Sequence, residues 1–260
     1  MGKLISDKYF KTWKSMLDVP VEDLFSKVEE TEWTTDNFRF YTAVSVISSS
    51  RIEGEPLEID SYVKHKLLNI EYLPNLTEKP NDLYRAYEFA RDNKLTLDNF
   101  YEAHTIATEN LLPKSQRGKV RTCNMLIMEQ RTNRVQYEAA LSGIVNEEFN
   151  QFWKELTALI KKPITTEQVF YYASLIHLVF VKIHPFNDGN GRTGRLLEKW
   201  FLVSKLGGKA WYIGSENYYY QNIQTYYNNL ARTGLFYDEL DYEKSIPFLL
   251  MLPQSLIFEK

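Results

Sequence analysis

The residues most able to do chemistry lie in one short stretch, His184-Pro-Phe-Asn-Asp-Gly-Asn-Gly-Arg-Thr-Gly-Arg195. His184 carries the one side chain here whose ordinary pKa suits taking a proton near neutral pH. Gly189 and Gly191 flank Asn190 and let main-chain N–H groups close around an anion. Arg192 and Arg195 are three apart at the start of the next helix, so both leave one side of its first turn and can fork onto phosphate. Two cations at a helix N-terminus are unfavourable unless an anion sits there, so the pattern asks for a polyphosphate. Asp188 is the lone carboxylate, and one carboxylate with phosphate oxygens and water is a common seat for Mg²⁺. Base, anion cradle and metal carboxylate together point to a hydroxyl attacking phosphorus. Taken singly, each feature also fits an ordinary helix–loop–helix with a solvated face, and His184 could simply cap the preceding helix. The joint spacing favours the phosphate reading.

Such a loop needs rigid supports. Thr165 and Gln168 form a capping-box pattern ahead of a helix ending near Ile183 and apolar nearly all round, so it is read as central and buried. A second helix, Arg192–Leu206, stops at Gly207 and Gly208. Earlier, Asp36 is read as the N-cap of a helix carrying Phe38, Tyr41, Val44 and Ile47 and stopping at Gly54. Glu71–Asp82, with Pro74 and Pro80, reads as looser chain; Asp82–Arg91, Leu97–Leu111 and Val145–Ile160 read as helices. Between them Gly118–Tyr137 reads as a hairpin with a polar turn at Arg131–Arg134. Tyr218–Leu230 and Ser245–Leu252 complete an all-α chain with one short hairpin.

Of 260 residues, 44% are hydrophobic, enough for a sizeable core, and the net charge of −3 argues against a nucleic-acid partner held by bulk charge. Cys123 is the single cysteine, so neither an intrachain disulfide nor a thiolate zinc cluster can form. No run of 18 apolar residues suggests a membrane span and no signal peptide is evident, so a cytoplasmic protein is expected.

The pattern His184-x-Phe186-x-Asp188-Gly189-Asn190-Gly191-Arg192-x-x-Arg195 resembles the complete signature of Fic-domain proteins. The resemblance implies a Fic-type helical bundle over 82–260 and a helical extension over 1–81. It implies transfer of AMP from ATP, with Mg²⁺, to a Ser, Thr or Tyr hydroxyl of a target protein. His184 would be the base, Phe186 the anchor of the loop, and Asp188 the metal ligand. Gly189, Asn190 and Gly191 would form the anion hole, with Asn190 reaching the α-phosphate. Arg192 and Arg195 would take the outer phosphates, with Thr193 and Gly194 between them in the nucleotide site. Related Doc-type kinases have lysine where this chain has Gly191, which favours nucleotidyl transfer. The hairpin at 121–137 resembles the family's flap, on which an extended target segment docks by main-chain bonds; Asn124, Met125 and Leu126 would lie beside the nucleotide. The flap's usual Pro-Pro end is replaced by Ala139 and Ala140, which leaves its register open. Tyr226 and Tyr227 resemble a paired-tyrosine element lining the adenine site. His104 and His177 are read as structural.

Ser49-x-x-x-Glu53-Gly54 resembles the inhibitory motif of autoinhibited members with an N-terminal inhibitory helix, the class II type. Ser49 and Glu53 share a helix face, and a carboxylate in a last turn calls for a cationic partner, for which Arg195 is the candidate. Three other activities share these residues: use of another nucleotide donor, removal of AMP, and a non-catalytic adaptor whose nucleotide governs partner binding. A homodimer is compatible with the sequence.

Overall fold

The structure, a computed structural model, describes residues 3–28, 35–128 and 135–258. Its first half runs α1 (Phe10–Met16), α2 (Val21–Ser26), α3 (Thr35–Ile52), α4 (Ile59–Leu68), α5 (Pro74–Asp92) and α6 (Leu97–Ala107). Strands β1 (Leu126–Met128) and β2 (Val135–Glu138) follow. The second half runs α7 (Val145–Lys161), α8 (Thr166–Ile183), α9 (Asn190–Leu206), α10 (Ser215–Gln221), α11 (Ile223–Ala231), α12 (Ile246–Leu249) and α13 (Met251–Gln254). This is the expected mostly helical fold with one antiparallel hairpin, paired Leu126 to Glu138 and Ile127 to Tyr137. The turn expected at Arg131–Arg134 lies outside the described residues.

α8 forms where its ends predict. Thr165 Oγ1 accepts from Gln168 N at 3.3 Å and Gln168 Oε1 accepts from Thr165 N at 3.0 Å, a reciprocal cap. Every residue from Val169 to Ile183 is buried, and α9 packs along it. Phe186 of the connecting loop is fully buried among Phe100, Phe149 and Phe180. Burying such a ring contributes roughly 1.5–3 kcal/mol, enough to hold a glycine-rich loop in one place. α3 lies against α5 and α10, and its C-terminal end meets the start of α9. Gly54 then turns the chain away at φ 86°.

Four expectations need correction. The looser chain expected over Glu71–Asp82 is largely helix α5, which starts at Pro74 and contains Pro80. Pro74 occupies the first turn, where no N–H is needed; Pro80 forfeits one bond, but burial of Thr77, Pro80, Leu83 and Tyr84 outweighs it. Asp36 lies inside α3 rather than at its cap. Tyr218–Leu230 is divided between α10 and α11 at Asn222, which leaves helical geometry at φ −112° and ψ 33° although its N–H still donates to Tyr218 O at 3.0 Å. Ser245–Leu252 is divided between the short helices α12 and α13, which meet at Leu250, rather than forming one helix.

Candidate active site

His184 ends α8 in the left-handed region, at φ 53° and ψ 59°. Its Nδ1 lies 3.1 Å from Val181 O, a carbonyl that also accepts from the Tyr137 hydroxyl at 3.0 Å. A carbonyl can only accept, so Nδ1 holds the proton and Nε2 keeps its lone pair. Burial pushes the imidazole down to about 4 against the pull of the Val181 bond, and Arg121 adds to the lowering. At neutral pH the ring is an uncharged base.

Asp188 is exposed, and its Oδ1 accepts from Gly189 N at 2.6 Å. Its main chain is fixed from behind by His104, which receives Gly118 N–H at Nδ1 and lies 3.0 Å from Asp188 O through Nε2. The same ring stacks on Phe186 with centroids 3.7 Å apart. Burial takes His104 down to about 4 as well, so it stays neutral and its tautomer is set. Gly189 adopts φ 78°, where a Cβ would also stand 2.6 Å from Thr108 Cγ2, so only glycine suits the start of α9.

Glu53 and Arg195 meet as their types suggest. Arg195 Nη2 donates to Glu53 Oε1 at 2.6 Å and to Ser49 O at 3.1 Å, while its Nε donates to Ser49 Oγ at 2.8 Å. Burial alone would raise the Glu53 carboxyl; the Arg195 and Arg192 charges outweigh it and hold it below the usual carboxylate range. The carboxylate lies over Gly191 so closely that a Cβ there would stand 2.2 Å from Oε1. Arg192 faces a different acid: its Nη2 donates to Glu55 Oε1 at 2.9 Å, and Lys79 Nζ reaches the same oxygen at 3.0 Å.

A cavity of about 340 Å³ opens between the hairpin, α11 and the facing ends of α3, α8 and α9. It brings together His184, Gly191, Arg195, Glu53, Tyr226 and Tyr227 of the expected site, with Gly54 at its edge. Other expected residues are placed elsewhere. Asn190 is buried with Oδ1 accepting from Phe186 N at 2.9 Å and Nδ2 donating to Phe186 O at 2.8 Å, so its side chain closes the loop. Thr193 Oγ1 donates to Gly189 O one turn back, and Gly194 lies against Val181, Phe180 and His177 of α8. From the hairpin, Ile127, Met128, Gln136 and Tyr137 line the cavity; Asn124, Met125 and Leu126 do not, and Asn124 Oδ1 instead accepts from Ser142 N. Tyr226 is 2% exposed and bridges two buried groups: its hydroxyl lies 3.1 Å from His177 Nε2 and accepts from Arg195 Nη1 at 3.3 Å. His177 Nδ1 in turn donates to Glu198 at 2.9 Å. Tyr226 thus supports Arg195, and Tyr227, which donates to Ile52 O at 3.0 Å, is the more open wall.

Residues 94–202, which include His184, Asp188 and both arginines, match the family model described as Fic/DOC family. Over these residues, under half of its length, the chain is similar to that family. A Fic family protein of Desulfovibrio desulfuricans superposes on 98% of this chain and 72% of its own, with TM-score 0.73 at 18% identity. A Fic domain containing signaling protein of Bacteroides thetaiotaomicron covers 98% and 94%, with TM-score 0.65 at 18% identity. Fic-1 of C. elegans gives 97%, 71%, 0.66 and 18% for the same measures. At these identities the likeness is one of fold. A Fido domain-containing protein of Dictyostelium discoideum is 36% identical over 67 residues, which span 26% of this chain and 40% of that relative.

The matched Fic segment supplies the base and the arginines, whereas Glu53, Glu55, Tyr226 and Tyr227 reach the site from outside it. Lys182 is a residue that sequence reasoning missed: its Nζ is buried 3.9 Å over the Tyr137 ring, and burial pushes it down to about 7. Glu55 and Arg121 were also missed, because each acts on the loop from more than 60 positions away and no local pattern marks either. Among the described residues no group of three or more His, Cys, Asp or Glu side chains could hold a metal, and no helix is long and apolar enough to cross a membrane.

Proposed function

We propose that this chain moves AMP from ATP onto a Ser, Thr or Tyr hydroxyl of another protein, and that Glu53 holds the activity down. One observation carries the reading: a neutral imidazole, a buried guanidinium and the carboxylate occupying it share the wall of one cavity. In the reaction the target hydroxyl gives its proton to His184 Nε2 as its oxygen forms a bond to the α-phosphorus. The bond from that phosphorus to the β-bridging oxygen breaks, and pyrophosphate leaves. The amides at the start of α9 and the Arg195 guanidinium stabilise charge on the phosphates. Asp188 suits Mg²⁺, since Oδ2 is not used by the Gly189 bond and phosphate and water can complete the shell. When bound there, Mg²⁺ would neutralise charge on the leaving group. The hairpin supports docking of an extended target segment, because Leu126, Met128 and Val135 expose apolar side chains along it.

Glu53 restrains this by competing with phosphate for Arg195. A second reading, hydrolytic removal of AMP, is favoured by the presence of the Glu53 carboxylate and His184 on one cavity, where the acid could position water. Incubation with α-labelled ATP and Mg²⁺ separates these proposals. Glu53→Gly is expected to label itself or a target far more than the parent, and His184→Ala in either background to label nothing. Equal labelling by parent and Glu53→Gly would remove the restraint, and labelling by His184→Ala would remove the base.

A further inference from the structure

Arg121 is 2% exposed, yet among the described residues its guanidinium donates to main-chain carbonyls alone. Nε donates to His184 O at 2.7 Å, Nη2 to Ala140 O at 2.5 Å and to Ile183 O at 3.3 Å, and Nη1 to Cys123 O. Its own amide donates to Pro185 O at 2.8 Å, next to the bridge between Val120 and Phe186. A buried guanidinium without a counter-charge is costly unless its donors are satisfied, and here the fork is satisfied by three separate pieces of chain. Cys123 and Ala140 are the two stems of the hairpin. Ile183 and His184 are the end of α8, where carbonyls lack helical partners and the macrodipole favours a cation. His184 also needs outside support, because a non-glycine residue in the left-handed region costs about 1–2 kcal/mol.

We infer that Arg121 is the positioning residue of this site: it clamps the His184 main chain in its left-handed turn and fastens both hairpin stems to it. The imidazole that takes the proton and the strand bearing Tyr137 then keep one mutual geometry. A lysine could not replace this fork, since one ammonium cannot reach carbonyls on three segments in fixed directions. The charge has a second effect. Standing beside the imidazole, it disfavours imidazolium and offsets the negative end of α8.

The inference rests on His184 acting as the base, and the test separates the two. In the Glu53→Gly background, Arg121→Lys is expected to lower kcat for AMP transfer about 100-fold with KM for ATP changed less than about threefold. Titration of the His184 imidazole by NMR needs no activity: Arg121→Met should raise its midpoint, and Arg121→Lys, which keeps the charge, should leave it close to that of the parent. Hydrogen exchange on the unaltered chain needs neither activity nor a substitution. The Arg121 and Ala139 amides should be protected and open together, as parts of one clamped unit. Parental kcat in Arg121→Lys, an unmoved midpoint in Arg121→Met, or Arg121 exchanging as fast as exposed chain would each overturn the clamp. If no variant or parent transfers AMP, the titration and exchange results still decide it.

Discussion

Replacing Glu53 with alanine removes the carboxylate that occupies Arg195, a guanidinium 1% exposed in the parent and also bonded to Ser49 and Tyr226. A hydrogen bond to a charged partner contributes roughly 1.5–3 kcal/mol, and the 30% exposure of Glu53 places this one toward the lower figure through screening. If phosphate and Glu53 compete for one guanidinium, the same free energy opposes nucleotide binding. Its loss should tighten ATP binding about tenfold, with about 150-fold as the ceiling. The variant should also be less stable without nucleotide, because a buried cation has lost its counter-charge, and yet gain more from added ATP. Calorimetric titration with ATP and Mg²⁺, paired with thermal melts, reads both effects. The sign with pH follows from the lowered carboxyl: the pair's contribution is full above the ordinary glutamate range and is lost only as pH falls through the depressed folded value. A variant that melts earlier but binds ATP with parental affinity would refute the competition and leave Glu53 a purely structural residue.

Three further outcomes follow from the same geometry. His104 is buried neutral and held near 4, so its stabilisation should be complete above about pH 6.5 and fade as pH falls toward 4, by roughly 3 kcal/mol; His104→Gln should flatten that part of a plot of unfolding free energy against pH, and an unchanged slope would count against it. Gly191→Ala should cost about 1–3 kcal/mol in the parent, where the new Cβ meets Glu53, and much less beside Glu53→Ala, so a double-mutant cycle by urea unfolding should give a clear coupling. Tyr226→Phe should destabilise the fold by about 1–3 kcal/mol through His177 and Arg195, more than Tyr227→Phe does; weaker ATP binding without lost stability would return Tyr226 to the adenine wall.

Local rules made much of this site readable. The capping box of Thr165 and Gln168 fixed one end of α8, the polar loop marked the other, and Gly207 marked the end of α9, so the base and the arginines could be placed relative to each other. Glu53 and Arg195, expected to pair from a helix-end carboxylate and the resemblance to an inhibitory motif, do meet. What stayed hidden depended on partners distant in sequence. Burial decided whether Pro80 broke a helix, and no local pattern marked Asn222 as the non-helical joint between two tyrosine-rich helices. The hairpin's register set which strand residues face the cavity, and the actual set lies beyond Asn124, Met125 and Leu126. Asn190, Thr193 and Gly194 sit in the densest part of the motif; the side chains of Asn190 and Thr193 bond back to Phe186 and Gly189, and Gly194 lies against α8.

The most direct test uses Glu53→Gly with Mg²⁺ and two preparations of ATP, one labelled at the α-phosphorus and one at the γ-phosphorus. Nucleotidyl transfer predicts protein-bound label from the first alone, with pyrophosphate released. Label carried over from the γ-position would mean phosphoryl transfer, and no label from either, with ATP demonstrably bound, would leave the site without the chemistry assigned to His184.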